Sequence, residues 1–179
     1  MRLINAPTAA AMASGLHKLE DDKNVLVIDF GGGSLDISVL CVSEGILDVQ
    51  ASRGDTNLGG RDIDEEIVNY CIAVFMEQHN IDLSDPNVHQ LARRRLLREC
   101  EAAKIRLSES FATAIRVPSI VANIDLSVQL SRQQLEEMME PWIAKLRDPL
   151  ERALEDASMD KDEIDNILLV GGSMRIPAV

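Results

Sequence analysis

The 179-residue chain is short of positive charge: 18 lysines and arginines stand against 30 aspartates and glutamates, for a net charge of −12 and an isoelectric point near 4.6. A protein that binds the nucleic-acid backbone gains affinity by displacing counterions from phosphates, which needs the opposite balance, so nucleic acid is excluded as the main partner. Cysteine is scarce as well. Cys41, Cys71 and Cys100 are odd in number, form no Cys-x-x-Cys pair and have no histidine at metal-ligand spacing, which removes the zinc-site and disulfide-framework classes. They read as buried free thiols of a reducing compartment, taken as cytoplasmic. No apolar run approaches the ~20 residues of a membrane-spanning helix, so no membrane partner is expected. His17, His79 and His89 are isolated, and no Ser-His-Asp or Cys-His arrangement supports nucleophilic catalysis. Repeats, low-complexity tracts and flexible linkers are absent too.

What remains is an ordinary globular composition, 46% hydrophobic and 27% charged, long enough to bury a continuous core without cross-links. The alanine-rich start is interrupted by Asn5, Pro7 and Thr8 and makes a weak targeting signal. It fits a short helix with proline in its first turn and Gly15 at its exit. The abrupt beginning and the stop just after Ile176-Pro177 predict a piece of a longer protein.

Strand-like runs come next. Val25–Ile28 and Ser34–Val42 flank Asp29-Phe30-Gly31-Gly32-Gly33, which predicts a hairpin with a glycine tip, and Ile46–Ala51 adds a third strand after a Ser43-Glu44-Gly45 turn. After Asn57-Leu58-Gly59-Gly60 the period changes. Ile63, Ile67, Cys71, Val74 and Phe75 repeat at helical spacing, and Asp85-Pro86 introduces a second helix reaching about Ser108. Phe111–Val117 and Ile124–Leu130 are strand candidates. Ser131 with Gln134 forms a capping box for a helix running toward Ala157, with Pro141 and Pro149 expected to kink or break it. Ile164–Val170 reads as a buried strand ending at Gly171-Gly172-Ser173.

Two glycine-rich strand ends carry the chemistry. Gly31, Gly32 and Gly33 can aim successive N–H groups into one concavity, an anion nest, with Asp29 placed to order a hydrated divalent cation and Ser34 offering a hydroxyl; a plain hairpin turn explains the same residues. Gly171-Gly172-Ser173 is a second nest, or a second turn. On the predicted helix before Ser108, Glu101, Lys104 and Ser108 share one polar stripe, while Ala92, Leu96, Cys100, Ala103 and Leu107 share the apolar one. Glu101 with Lys104 equally fits a surface ion pair. Arg93, Arg94, Arg95 and Arg98 read as a solvated face, and Met138, Met139 and Trp142 as core contacts.

Taken together, Arg2–Ala11, Val27–Ser34, Gly54–Gly60, Glu99–Lys104 and Leu169–Pro177 resemble, in order and spacing, the seventy-kilodalton heat-shock chaperones of the DnaK type. The resemblance covers the second lobe of their actin-like ATPase domain. It implies an α/β, ribonuclease H-like lobe with an inserted α+β outer subdomain: residues 1–59 and 137–179 inner, 60–136 outer. It implies ATP or ADP with Mg2+ as ligands. Gly31, Gly32, Gly33 and Ser34 would meet the phosphates, Asp29 would order the water shell of the magnesium, and Gly60 would line the cleft. Glu101 and Lys104 would hold the ribose hydroxyls, Ser108 the adenine edge, and Gly172, Ser173 and Arg175 the other side of the adenosine. Implied partners are nucleotide-exchange factors, J-domain co-chaperones and, through a domain absent here, unfolded polypeptide.

Three positions depart from the family pattern. Ala6 stands where relatives carry Glu near the phosphates, Ser34 where they carry Thr, and Ile105 where they carry an Arg that stacks on adenine. The lost cation–π contact, worth ~0.5–2 kcal/mol, would weaken nucleotide binding about tenfold. Two further readings accompany the chaperone ATPase: an adaptor that binds co-chaperones with little or no nucleotide cycle, and an actin-like small-molecule kinase.

Overall fold

The computed structural model describes residues 3–18, 22–85 and 89–179, so the expectations resting on Arg2 and Pro86 lie outside the described residues. The chain divides into two units, Met1–Gly60 with Trp142–Met174, and Arg61–Pro141 with Arg175–Val179.

The first unit opens with helix α1 (Ala6–Ala13), which has proline in its first turn and Gly15 at φ 82° just beyond its end, the left-handed exit that glycine allows at no steric cost. Strands β1 (Lys23–Phe30), β2 (Leu35–Ser43) and β3 (Ile46–Asp55) form the antiparallel meander expected from their apolar runs. β2 is buried at four consecutive positions, Ile37 to Leu40, because it lies inside the sheet with neighbours on both edges. Between Val39 and Leu40 the pairing with β3 slips by one residue, a bulge that leaves Gln50 without a partner.

Strand β6 (Asn166–Val170) joins β1 in parallel and completes the order β3-β2-β1-β6. It is not the buried strand its composition suggests. As an edge strand it turns Leu168 and Val170 toward the core of Ala11, Val25, Val27, Leu40 and Val42, while Ile167 and Leu169 remain 62% and 54% exposed.

The second unit is built on helices α2 (Gly60–His79) and α3 (Gln90–Leu107) and the hairpin of β4 (Ala112–Val121) and β5 (Ile124–Ser131). The helical stripes bury as spaced apart from Val74, which is half-buried: Ile63, Ile67, Cys71 and Phe75 from α2, and Ala92, Leu96, Cys100, Ala103 and Leu107 from α3. The hairpin alternates Ile115 and Val117 with Leu126, Val128 and Leu130 inward, and its tip, Ala122 and Asn123, has positive φ at both positions, as a two-residue turn that follows strand twist requires.

Arg93 and Arg95 depart from the solvated face expected of the arginine run. Arg93 pairs with Glu65 at 2.8 Å, and Arg95 donates to the carbonyls of Pro118 and Ser119, so each ties α3 to a neighbouring element. Helix α4 (Arg132–Asp156) starts on the predicted box: Ser131 N–H donates to Gln134 Oε1 at 2.9 Å and Gln134 N–H to Ser131 Oγ at 3.2 Å. It runs through Pro141 and Pro149 as one helix. Buried Leu135 and Met139 before the prolines and Ala153 after them anchor the turns on either side, which offsets the two missing N–H donors.

Candidate functional site

In the first unit, β1 delivers Asp29 to the top of the sheet, and residues 31–34 turn the chain into β2 so that Asp29 lies opposite Asp36. The Gly31 N–H donates to the Ser34 carbonyl at 3.0 Å and closes the turn. The Gly31 carbonyl is a junction: it accepts the Gly60 N–H at 3.0 Å and the Ser173 Oγ at 2.8 Å. One peptide thereby joins the hairpin tip, the first residue of α2 and the 3-10 turn Gly172–Arg175 that follows β6.

The glycines here act through space more than through backbone angle. None of Gly31, Gly32 and Gly33 has φ in the left-handed region, so the tip does not depend on a left-handed backbone. A Cβ on Gly32 or Gly33 would meet open space, and both residues are exposed, leaving bare backbone open to close approach. The tight glycines are their neighbours. A Cβ on Gly59 would lie 2.5 Å from the Gly33 nitrogen, and one on Gly171, at φ +92°, would lie 2.3 Å from the Phe30 oxygen and 2.8 Å from Asp29 Oδ1.

Burial, reinforced by the facing Asp36, raises the Asp29 carboxyl above the ordinary carboxylate range. Ser34 Oγ is turned to this same acid, donating to Asp36 Oδ2 at 3.2 Å. Sequence reasoning missed Asp36. The signal was there, because a four-residue tip at 31–34 places 36 across from 29 in any regular antiparallel register. Two carboxylates facing each other across strands beside the exposed Gly32 and Gly33 are a donor set that suits a hydrated divalent cation, so Mg2+ held through water fits the residues present. Among the described residues no group of three or more His, Cys, Asp or Glu could ligate a metal directly.

The remaining expected residues fall in the second unit. Glu101 is exposed, Ser108 caps the end of α3 half-buried, Arg175 is exposed, and Ile105 is 61% exposed. Lys104 differs from the surface ion pair with Glu101 that spacing allows. It is buried, and its Nζ lies 2.8 Å from Oδ1 of Asp64, a buried residue of α2. The helical repeat could not show this partner because it sits on another helix forty residues earlier. Burial lifts the Asp64 carboxyl above its ordinary range, opposed by the Lys104 ammonium and reinforced by Glu101 and Glu65. Cys71 and Cys100 meet in the same core. The Cys100 thiol is pushed up by its hydrogen bond with Cys71 and by burial, which makes it inert; Cys71 is buried beside it, whereas Cys41 is only partly buried.

A family model described as Hsp70 protein matches residues 1–179. The chain belongs to the Hsp70 family. It is 43% identical over 180 residues to the heat shock 70 kDa protein of Emericella nidulans, covering all of this chain and 28% of that protein. It is 42% identical over 185 residues to the chaperone protein DnaK of Thermus thermophilus, again over the whole chain and 29% of that protein. The chain therefore spans less than a third of the length of these Hsp70 relatives. Membership gives the fold class, an actin-like α/β ATPase fold, and the mixed sheet with its glycine-tipped hairpin agrees with it. No described helix is long and apolar enough to cross a membrane.

Proposed function

We propose that this chain is the second lobe of the ATP/ADP-binding domain of an Hsp70-type chaperone, whose nucleotide state controls the binding and release of unfolded peptide. The observation that carries the reading is the Gly31 carbonyl, bound by Gly60 N–H and Ser173 Oγ, which gathers three glycine-rich segments around exposed backbone and one half-buried acid. Residues 1–59 and 137–179 are then the inner subdomain and 60–136 the outer one.

On this reading Gly32, Gly33 and Ser34 hold phosphate oxygens through N–H and hydroxyl donors, Gly31, whose own N–H closes the turn on the Ser34 carbonyl, shapes the phosphate-binding tip, and Gly60 lines the same cleft. Asp29 accepts hydrogen bonds from the water shell of Mg2+, and Asp36 adds charge on the opposite strand. The cation supplies neutralisation of phosphate charge. Glu101 and Lys104 hold the ribose hydroxyls, Ser108 the adenine edge, and Gly172, Ser173 and Arg175 the other side of the adenosine. The lobe by itself is not an efficient ATPase. Its partners are nucleotide-exchange factors, J-domain co-chaperones and, through a further domain, unfolded polypeptide, in a cytoplasmic setting.

A second reading rests on Ile105, an apolar residue 61% exposed where relatives place arginine: an adaptor that binds co-chaperones with little or no nucleotide cycle. Titration of Mg-ADP into the chain, wild type beside Ile105→Arg, followed by amide NMR shifts, separates the two. The nucleotide reading expects shifts at residues 31–34, 60 and 172–173 in wild type and about tenfold tighter binding in Ile105→Arg. No shifts in wild type, rescued by Ile105→Arg, would favour the adaptor. Shifts in neither protein would remove nucleotide from this lobe.

A further inference from the structure

Asp64 has no part in the expected site, yet it is one of very few charged side chains buried among the described residues. Its side chain is 6% exposed and that of Lys104 10%, and the two approach to 2.8 Å. Removing two charges from water is costly, and an apolar pair of equal volume would hold α2 to α3 at least as well. Stability alone therefore gives no reason for this pair. Its geometry points the same way. Lys104 Nζ lies 2.8 Å from Oδ1 of Asp64, and the two come from different helices, so the buried carboxylate is an anchor that fixes where the ammonium sits. A free lysine samples many rotamers, and a ligand that needed its ammonium would have to immobilise the stem; here that ordering has been done before any ligand arrives.

We propose that Asp64 is a positioning residue that holds the Lys104 ammonium in place for the ribose hydroxyls of a bound nucleotide. This rests on the nucleotide reading above. Glu101, one turn before Lys104 on α3, and Glu65, beside Asp64 on α2, are the other acids that act on Asp64, and both are exposed, so neither replaces it as the buried counter-ion.

The test compares two ligands, Mg-ADP and Mg-2′,3′-dideoxy-ADP, which lacks the hydroxyls, by NMR titration of the 179-residue chain. Wild type is expected to bind ADP about tenfold more tightly than the dideoxy compound. Asp64→Asn is expected to weaken ADP to the dideoxy level and to leave dideoxy-ADP unchanged, a selective loss that a merely structural role would not produce. Asp64→Glu keeps the charge but moves it by one methylene. It should fold where the Asn variant fails to, and should lose part of the same preference. Equal weakening of both ligands, or none, would overturn the role of Asp64, as would a wild type that binds the two ligands equally. A wild type that binds neither ligand would instead overturn the nucleotide reading and this role with it.

Discussion

Gly171→Ala should damage the first unit by an amount that follows from two separate penalties. Gly171 has φ +92°, where any residue with a Cβ is strained by about 1–2 kcal/mol. The added carbon would also lie 2.3 Å from the Phe30 oxygen and 2.5 Å from the Phe30 carbonyl carbon. Those atoms are backbone of β1 and cannot rotate aside, so the end of β6 must separate from β1, an overpacking cost of ~1–3 kcal/mol. The sum is about 2–5 kcal/mol. At a urea slope of about 2 kcal/mol/M the unfolding midpoint should fall by roughly 1–2.5 M. Trp142, the single tryptophan, lies in the first unit and Tyr70, the single tyrosine, in the second, so the two emissions report the two units. The Trp142 transition should move and the Tyr70 transition should move less. Gly32→Ala is the control: its Cβ meets open space, φ is not left-handed, and the expected change is within about 0.5 kcal/mol. If Gly171→Ala is no more destabilising than Gly32→Ala, the steric argument for the second glycine segment is wrong.

Three further outcomes can be checked with the same protein. The Asp165 carboxylate accepts the Asn24 N–H at 2.8 Å and pairs with Lys23, which holds it below the ordinary carboxylate range. Its contribution is present above the unfolded value near ~3.9 and lost as pH falls through the lower folded value, so Asp165→Asn should flatten the acid limb of the Trp142-monitored stability curve below about pH 4. A thiol reagent should label Cys41 first in the native chain, with Cys71 and Cys100 labelled after urea is added; equal native rates for all three would contradict their burial. Met139 is fully buried in the second unit, and Met139→Ala should cost ~2–5 kcal/mol in the Tyr70 transition.

How far the sequence could be read depended on whether the deciding contact was local. The capping box at Ser131 and Gln134, the proline-started first helix and the glycine-tipped hairpin are each settled within a few residues, and each forms as the spacing predicts. The apolar run Ile164–Val170 is a poor guide to burial, because composition reports only what a strand can bury. Whether it is buried depends on its place in the sheet, and the edge position of β6 comes from parallel pairing with residues some 140 positions earlier. Pro141 and Pro149 fail to break α4 for a related reason: the cost of each proline is local, but the packing of Leu135, Met139 and Ala153 that offsets it is not.

The site shows the same division. Asp29, the tip glycines and Gly171 through Ser173 stand out in sequence because each is a motif in itself. Their junction at the Gly31 carbonyl is a tertiary fact, and so is the pairing of Asp64 with Lys104. Helical spacing placed Lys104 on the same stripe as Glu101 and gave it the nearest acid as partner, yet burial selects a different one. Glu101 is exposed and screened by water, so its pull on the ammonium is weak, whereas Asp64 shares the low-dielectric interior where a paired charge counts for more. Lys104→Met would leave that acid buried without its cation, an expected loss of ~3–5 kcal/mol in the Tyr70 transition at neutral pH. The loss should shrink as pH falls, because a buried carboxyl whose folded value is raised regains stability when it is protonated. A Lys104→Met penalty that stayed constant from pH 7 to pH 4 would mean that Asp64 is not charged in the native protein, and the anchor argued for it would be lost.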